Sequence, residues 1–209
     1  MKRWGLMAGI LAICSLAFAG DQVGLSCNSL KLVLDPRITP IELERQWASG
    51  ESAADTPAVL ELYGCQGELL DRLTLAAPLA KLDPTPLRGT QLPTVLVTVD
   101  LTAPAGSYNG PLTLPIQIDK NRLTRAKART RHGRREPIEL ALTGKAAWKK
   151  VARHGADHLL SVRCEPHGDH FVISYRRYRP TRHGWQVHVR SEPGFWESDS
   201  EFPAQQSFP

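Results

Sequence analysis

Strict two-residue alternation of apolar and polar side chains constrains this chain more than any other feature. Val95, Val97, Val99 and Leu101 fall on one side of an extended segment, with Thr94, Thr98 and Asp100 on the other. Leu112, Leu114, Ile116 and Ile118 repeat the pattern against Thr113, Gln117 and Asp119. A period of two is the signature of a half-buried strand and cannot place one apolar stripe on a helix. Pro115 has no N–H to give a ladder, which predicts an edge position for the second of these strands. Further along, His158–Cys164, His170–Tyr178 and Trp185–Arg190 alternate as well, separated by Pro166-His167-Gly168-Asp169 and Thr181-Arg182-His183-Gly184 as turns. Their expected inward sets are Leu160/Val162/Cys164, Phe171/Ile173/Tyr175 and Trp185/Val187/Val189. The fold class is therefore mainly all-β.

One helix interrupts this pattern. Thr39 is its N-cap, Pro40 takes the first helical position and Glu42 completes a capping box, which predicts a helix over 40–49 ended by Gly50. Leu30–Leu34 reads as a strand before it. Ala58–Tyr63 and Glu68–Leu75 read as a hairpin around Gly64-Cys65-Gln66-Gly67. Residues 145–153 fit either a short helix or a strand.

The segment Asp100–Ile118, with Gly106-Ser107-Tyr108-Asn109-Gly110 before its alternating strand, resembles the strand–turn–strand of bacterial immunoglobulin-like sandwiches. The resemblance covers about twenty residues. It implies an immunoglobulin-like β-sandwich, a Tyr108 ring packed as in a tyrosine corner, and a role in adhesion, binding or scaffolding rather than catalysis.

At the N-terminus, Lys2 and Arg3 precede an uncharged apolar run from Trp4 to Phe18, and Ala17-Phe18-Ala19 supplies a small-x-small pattern before Gly20. This is the grammar of a cleaved secretory signal peptide over 1–19. The run is shorter than the roughly 20 apolar residues of a membrane-spanning helix. No later stretch reaches that length, so no transmembrane segment is expected after cleavage. Cys14 is preceded by Ile13 and does not suit lipid attachment. The expected location is the periplasm or the exterior of a Gram-negative cell, where cysteines oxidise. Cys27, Cys65 and Cys164 remain after cleavage. If strands 29–34 and 58–64 are antiparallel neighbours, Cys27 falls within one residue of facing Cys65; a parallel pair would hold the thiols about 20 Å apart. A Cys27–Cys65 disulfide is therefore expected, with Cys164 spare and buried.

Charge is divided into blocks. Residues 20–119 hold six basic and twelve acidic side chains, 120–190 hold eighteen basic and five acidic, and 191–209 hold four acidic and no basic ones. These blocks divide the mature chain into a sandwich-like region (20–119), a basic linker (120–136), an antiparallel β-meander (137–190) and an acidic, aromatic tail (191–209). Eight of the sixteen residues from Lys120 to Arg135 are Lys or Arg, a density that reads as a solvated connector or an anion-binding arm. Phe195, Trp196, Phe202 and Phe208 in the tail predict a segment lying extended over the body, or a docking peptide.

Few motifs carry chemistry. There is no Gly-x-Ser-x-Gly, no phosphate-binding loop and no dinucleotide fingerprint, so no catalytic residue and no cofactor is assigned. Cys164, His167 and His170 form one Cys-x2-His-x2-His string, which lacks the second pair of a structural zinc site, and no metal ligand is assigned. The binding candidate is a face of the meander formed by Arg163, Arg176, Tyr178, His188 and Arg190. Arginines beside a tyrosine suit phosphate, carboxylate or an acidic protein surface. An ordinary solvated sheet face, its charges offset by the acidic tail, explains the same residues. The sequence thus points to an exported, non-enzymatic binding protein: an inhibitor, an immunity-type protein or an envelope accessory factor. Its expected partner is a protein or an anionic envelope component such as lipopolysaccharide or cell wall, with nucleic acid disfavoured by the exported address. A hydrolase with a non-sequential site and a metal-binding protein are the rival classes.

Overall fold

The computed structural model describes residues 22–25, 27–49, 57–99 and 108–209. The expected signal peptide, the Gly50 stop and Asp100–Ser107 lie outside the described residues. Among the described residues, fifteen strands and one α-helix make a mostly β structure of three sheets.

The first sheet is a plain meander: β1 (Gln22–Leu25), β2 (Asn28–Val33), β3 (Val59–Tyr63) and β4 (Leu69–Thr74), each antiparallel to the next. Helix α1 (Pro40–Ser49) lies between β2 and β3 in the chain. The Glu42 N–H donates to Thr39 Oγ1 at 3.1 Å as the cap predicts, whereas the Glu42 carboxylate turns outward to Arg45 and leaves the box half made. Strands β2 and β3 pair with Ser29 opposite Tyr63 and Val33 opposite Val59. That register is one residue from the expected one and sets Cys27 against Cys65. The disulfide joins them with Cα atoms 4.7 Å apart.

The second sheet holds β5 (Ala80–Leu82), β6 (Thr94–Val99), β7 (Leu112–Asp119) and β11 (Leu140–Ala141), with β8 (Arg122–Arg125) also on β7. Leu30, Leu60 and Leu62 of the first sheet and Val95, Val97, Leu114 and Ile116 of the second share one buried core, so the two sheets pack face to face. Pro115 does not mark an edge, because β7 has partners on both sides. Its missing donor falls in the gap where the partner changes from β11, at Leu112–Thr113, to β8, at Ile116–Asp119. Tyr108 is 51% exposed, so its ring is not packed as a tyrosine corner requires. Among the described strands the order within each of these two sheets is sequential or nearly so, unlike the Greek-key order of immunoglobulin domains.

The segment expected as a linker is built into the fold. It carries β8, β9 (Lys127–Arg129) and the start of β10 (Arg135–Pro137). Leu123, Ala126 and Ala128 are buried, while the basic residues between them point out. Alanine contributes too little hydrophobicity to reveal an alternation among so many arginines and lysines.

The third sheet runs β10-β9-β15-β14-β13-β12, where β12 is Ala146–Arg153, β13 Ala156–His167, β14 His170–Thr181 and β15 Gly184–Pro193. Residues 145–153 are thus strand rather than helix. Strands β12 to β15 form the expected antiparallel meander, and β9 adds in parallel to β15. Both faces of this sheet are covered. On one, Leu159, Tyr178, Trp185 and Val187 meet Leu87, Leu96, Ile138 and Leu140. On the other, Leu160, Val162, Cys164, Ile173 and Tyr175 meet Trp196 and Phe208 of the tail, with Phe202 packed alongside. The tail lies across the body, as its aromatics predict. Lys145, itself buried, pairs with Glu197 and sits 3.7 Å from the Phe195 ring centroid.

A clasp between exposed Arg88 and buried Asp157 ties the loop before β6 to the third sheet. The Asp157 carboxylate accepts from the Arg88 backbone N–H at 2.9 Å and from its guanidinium at 2.8 Å. At Gly89, with φ +74°, an added Cβ would lie 2.4 Å from the Cβ of Ala156, so only glycine permits this approach.

Candidate anion-binding site

The site follows from the length of three turns. Arg153 faces Ala156 across His154-Gly155, His167 faces His170 across Gly168-Asp169, and Thr181 faces Gly184 across Arg182-His183. Each loop has two residues, so each pair has numbers of opposite parity. Even-numbered residues of β14 therefore share a face with odd-numbered residues of β15. The first turn places both His154 (φ 49°) and Gly155 (φ 75°) in the left-handed region, as a type I′ hairpin requires.

This parity splits the candidate face read from the sequence. Arg163, Arg176 and Tyr178 lie on the side turned toward the rest of the protein. Tyr178 is 1% exposed and belongs to the core. Arg176 pairs with Glu136 at 3.3 Å, and Arg163 donates to the Glu139 carbonyl at 2.8 Å. Val187 and Trp185 join that side, against the expectation that they share a face with Tyr175. His188 and Arg190 lie on the opposite, tail-covered side, where Arg190 sits 5.0 Å from the Tyr175 ring centroid and 3.4 Å from Glu192. Five residues expected to form one surface are divided between two.

What gathers instead is a cleft at the turn end of the tail-covered face. Its volume is about 440 Å³, and it is lined by Arg153, His154, His158, Arg177, Arg179 and His188, closed by Ala156, Pro180 and Pro209. Four strands contribute: β12 carries Arg153, β13 His158, β14 Arg177 and Arg179, and β15 His188, which is the register partner of Arg177. No acidic side chain is among these described lining residues. Asp157, next in sequence to His158, faces the other way, into the clasp with Arg88.

The electrostatics are those of a cleft whose charged side chains are all basic. His158 is buried, its Nδ1 has no hydrogen-bond partner, and its pKa is held below the ordinary histidine value. Burial is the main cause, followed by repulsion from Arg177, Arg153, Arg179 and His154. Arg177 is likewise lowered by burial and by Arg153. Two guanidiniums are held in place. Arg177 donates to the carbonyls of Gln205 and Phe208 at 3.1 and 3.0 Å, and Arg179 donates to Gln186 Oε1 at 2.8 Å. Oriented guanidiniums of this kind recognise phosphate and carboxylate oxygens.

Of the sequence candidates, only His188 lines this cleft. Arg153, His154, His158, Arg177 and Arg179 were missed, although the two-residue turn at Arg182-His183 held the signal for Arg177. A hairpin of that length fixes which parity of β14 faces His188. The zinc-like string does not assemble. Cys164 is buried beneath the tail, its sulfur accepting the Trp196 N–H at 3.4 Å, whereas His170 and Asp169 pair at an exposed turn. Among the described residues no group of three His, Cys, Asp or Glu side chains is placed to hold a metal. Also among the described residues, no helix is long and apolar enough to cross a membrane. In comparisons with known proteins, the chain matches no family model, no curated protein and no solved structure at a significant level.

Proposed function

We propose that this is an exported binding protein that holds an anionic group of an envelope component, or of an acidic partner protein, in the basic cleft of its third sheet. The observation that carries this reading is the convergence of three arginines and three histidines around one concavity with no acidic lining residue. Like charges placed together cost free energy in the isolated fold, and an anionic ligand relieves that cost. The Cys27–Cys65 disulfide supports an oxidising location, and the apolar N-terminal run with its Ala17-Phe18-Ala19 pattern supports export to the periplasm or beyond. A binding role agrees with the lack of any nucleophile motif in the sequence, and lipopolysaccharide phosphates, cell-wall carboxylates and acidic proteins are the anions available at that address.

The test is capture from envelope extracts by the immobilised mature protein, followed by mass spectrometry. Capture is expected to fall as salt rises and to be lost in the double variant Arg153→Glu/Arg177→Glu. The variant Arg122→Glu on β8 changes charge outside the cleft and is expected to capture normally. Equal capture by the cleft double variant and the unaltered protein would overturn the reading.

A further inference from the structure

Resting on that reading, we propose that the group held in the cleft is a phosphomonoester. Three observations point to it over a carboxylate. The first is charge. Three guanidiniums and no acidic side chain line the cleft, and a carboxylate brings one negative charge, whereas a phosphomonoester carries about −1.5 to −2 near neutral pH with three terminal oxygens. The second is direction. The donors rise from β12, β13, β14 and β15 around a hollow rather than along one line. A planar carboxylate accepts mainly in its own plane, while a tetrahedral phosphate presents oxygens toward several walls at once. The third is His158 on the floor. Its side chain is more than nine-tenths buried, and its Nδ1 is without a partner, a costly state for a buried polar atom. An anion drawn in by Arg153 and Arg177 offsets the positive charge crowded around this ring.

The surroundings add to the fit. Arg177 is fixed by two tail carbonyls and Arg179 by Gln186, so little side-chain freedom is lost when the ligand arrives. A hollow of about 440 Å³ exceeds a single phosphate, which leaves room for the group that bears it. Two sources share this chemistry, a soluble phosphorylated metabolite and a phosphate headgroup on a lipid.

Titration calorimetry of the mature protein separates them. Glycerol 3-phosphate is the soluble probe, with succinate as a dicarboxylate of similar charge. Phosphatidylcholine vesicles containing phosphatidic acid are the lipid probe, with phosphatidylglycerol vesicles as a phosphodiester control. The proposal expects glycerol 3-phosphate to bind at least about ten-fold more tightly than succinate, or phosphatidic acid vesicles to bind where phosphatidylglycerol vesicles do not. In either arm Arg153→Gln and Arg177→Gln are each expected to weaken binding by about ten-fold or more, the scale of one lost charge-assisted contact. Arg122→Gln is expected to leave it unchanged. Circular dichroism of each variant shows that the fold is kept. Binding of neither phosphomonoester, or no preference over succinate and phosphatidylglycerol, overturns the assignment. If envelope capture then still depends on Arg153 and Arg177, the anion-binding reading stands and only the phosphate is wrong; if capture is also indifferent to them, both fall.

Discussion

Truncating Phe208 tests whether the tail is part of the fold and whether it holds the cleft. The Phe208 ring is 3% exposed, stacks on Phe202 at 5.5 Å and meets Tyr175 edge-on at 5.6 Å. Phe→Ala at a packed site costs about 3–5 kcal/mol. A tail lying over a sheet can settle into the vacancy more readily than a deep core, so about 3 kcal/mol, the low end of that range, is expected for Phe208→Ala. With an m-value of about 2–3 kcal/mol per M, the urea midpoint falls by roughly 1–1.5 M. Phe195→Ala is the matched control. That ring is 55% exposed and is held by an edge contact to Phe171 at 5.1 Å and by Lys145, contacts that at so exposed a ring fall at the low end of their ranges, about 0.5 kcal/mol each. Its midpoint is expected to move by less than about 0.5 M. Because Phe208 and Gln205 supply the carbonyls that fix Arg177, Phe208→Ala is also expected to weaken anion binding, and Phe195→Ala is not. An unmoved midpoint in Phe208→Ala, or equal shifts in the two variants, refutes the packing argument.

Two further outcomes follow from the same structure. Non-reducing peptide mapping should link Cys27 to Cys65 and leave Cys164 free; with the bonded cysteines 38 positions apart, the Cys27→Ser/Cys65→Ser variant is expected to lose about 4 kcal/mol by chain entropy, and three free thiols in exported material would refute the pairing. The lowered pKa of His158 sets a pH dependence: the unfolded chain takes up a proton near 6.5 and the folded one only below that, so the stability contribution is complete above about 6.5 and is lost as pH falls toward the folded value. The charges facing His158 are Arg153 and His154 from β12 and its turn, Arg177 and Arg179 from β14 and His188 from β15. A bound anion offsets them, so binding below about pH 6.5 is expected to take up protons. Calorimetry in buffers of different ionisation heat measures that uptake, and its persistence in His158→Gln would assign it to another group.

Much of this protein is legible in its sequence, because local rules act over a few residues. Alternation at Val95–Val99 and Leu112–Ile118 determined two strands and the side that meets the first sheet, although Thr94, Leu96 and Thr113 on the other side are buried as well. Thr39, Pro40 and Glu42 determined a helix start. The antiparallel pairing of the two strands that carry Cys27 and Cys65 followed from disulfide reach, and the tail's aromatics implied that something beneath them was apolar. What tertiary structure decided was which faces meet. A strand with one apolar face is readable, but β14 buries both faces, at Tyr175 under the tail and at Tyr178 under the second sheet, and a strand covered on both sides loses the contrast that period-two reading needs. Lys120–Arg135 looked like a connector because its inward residues, Ala126 and Ala128, carry so little apolar surface. The cleft itself depends on turns of two residues that bring Arg177 beside His188 and set His158 on the same face as Arg153. Those side chains are up to 35 positions apart in the chain, and only the sheet's register makes them neighbours.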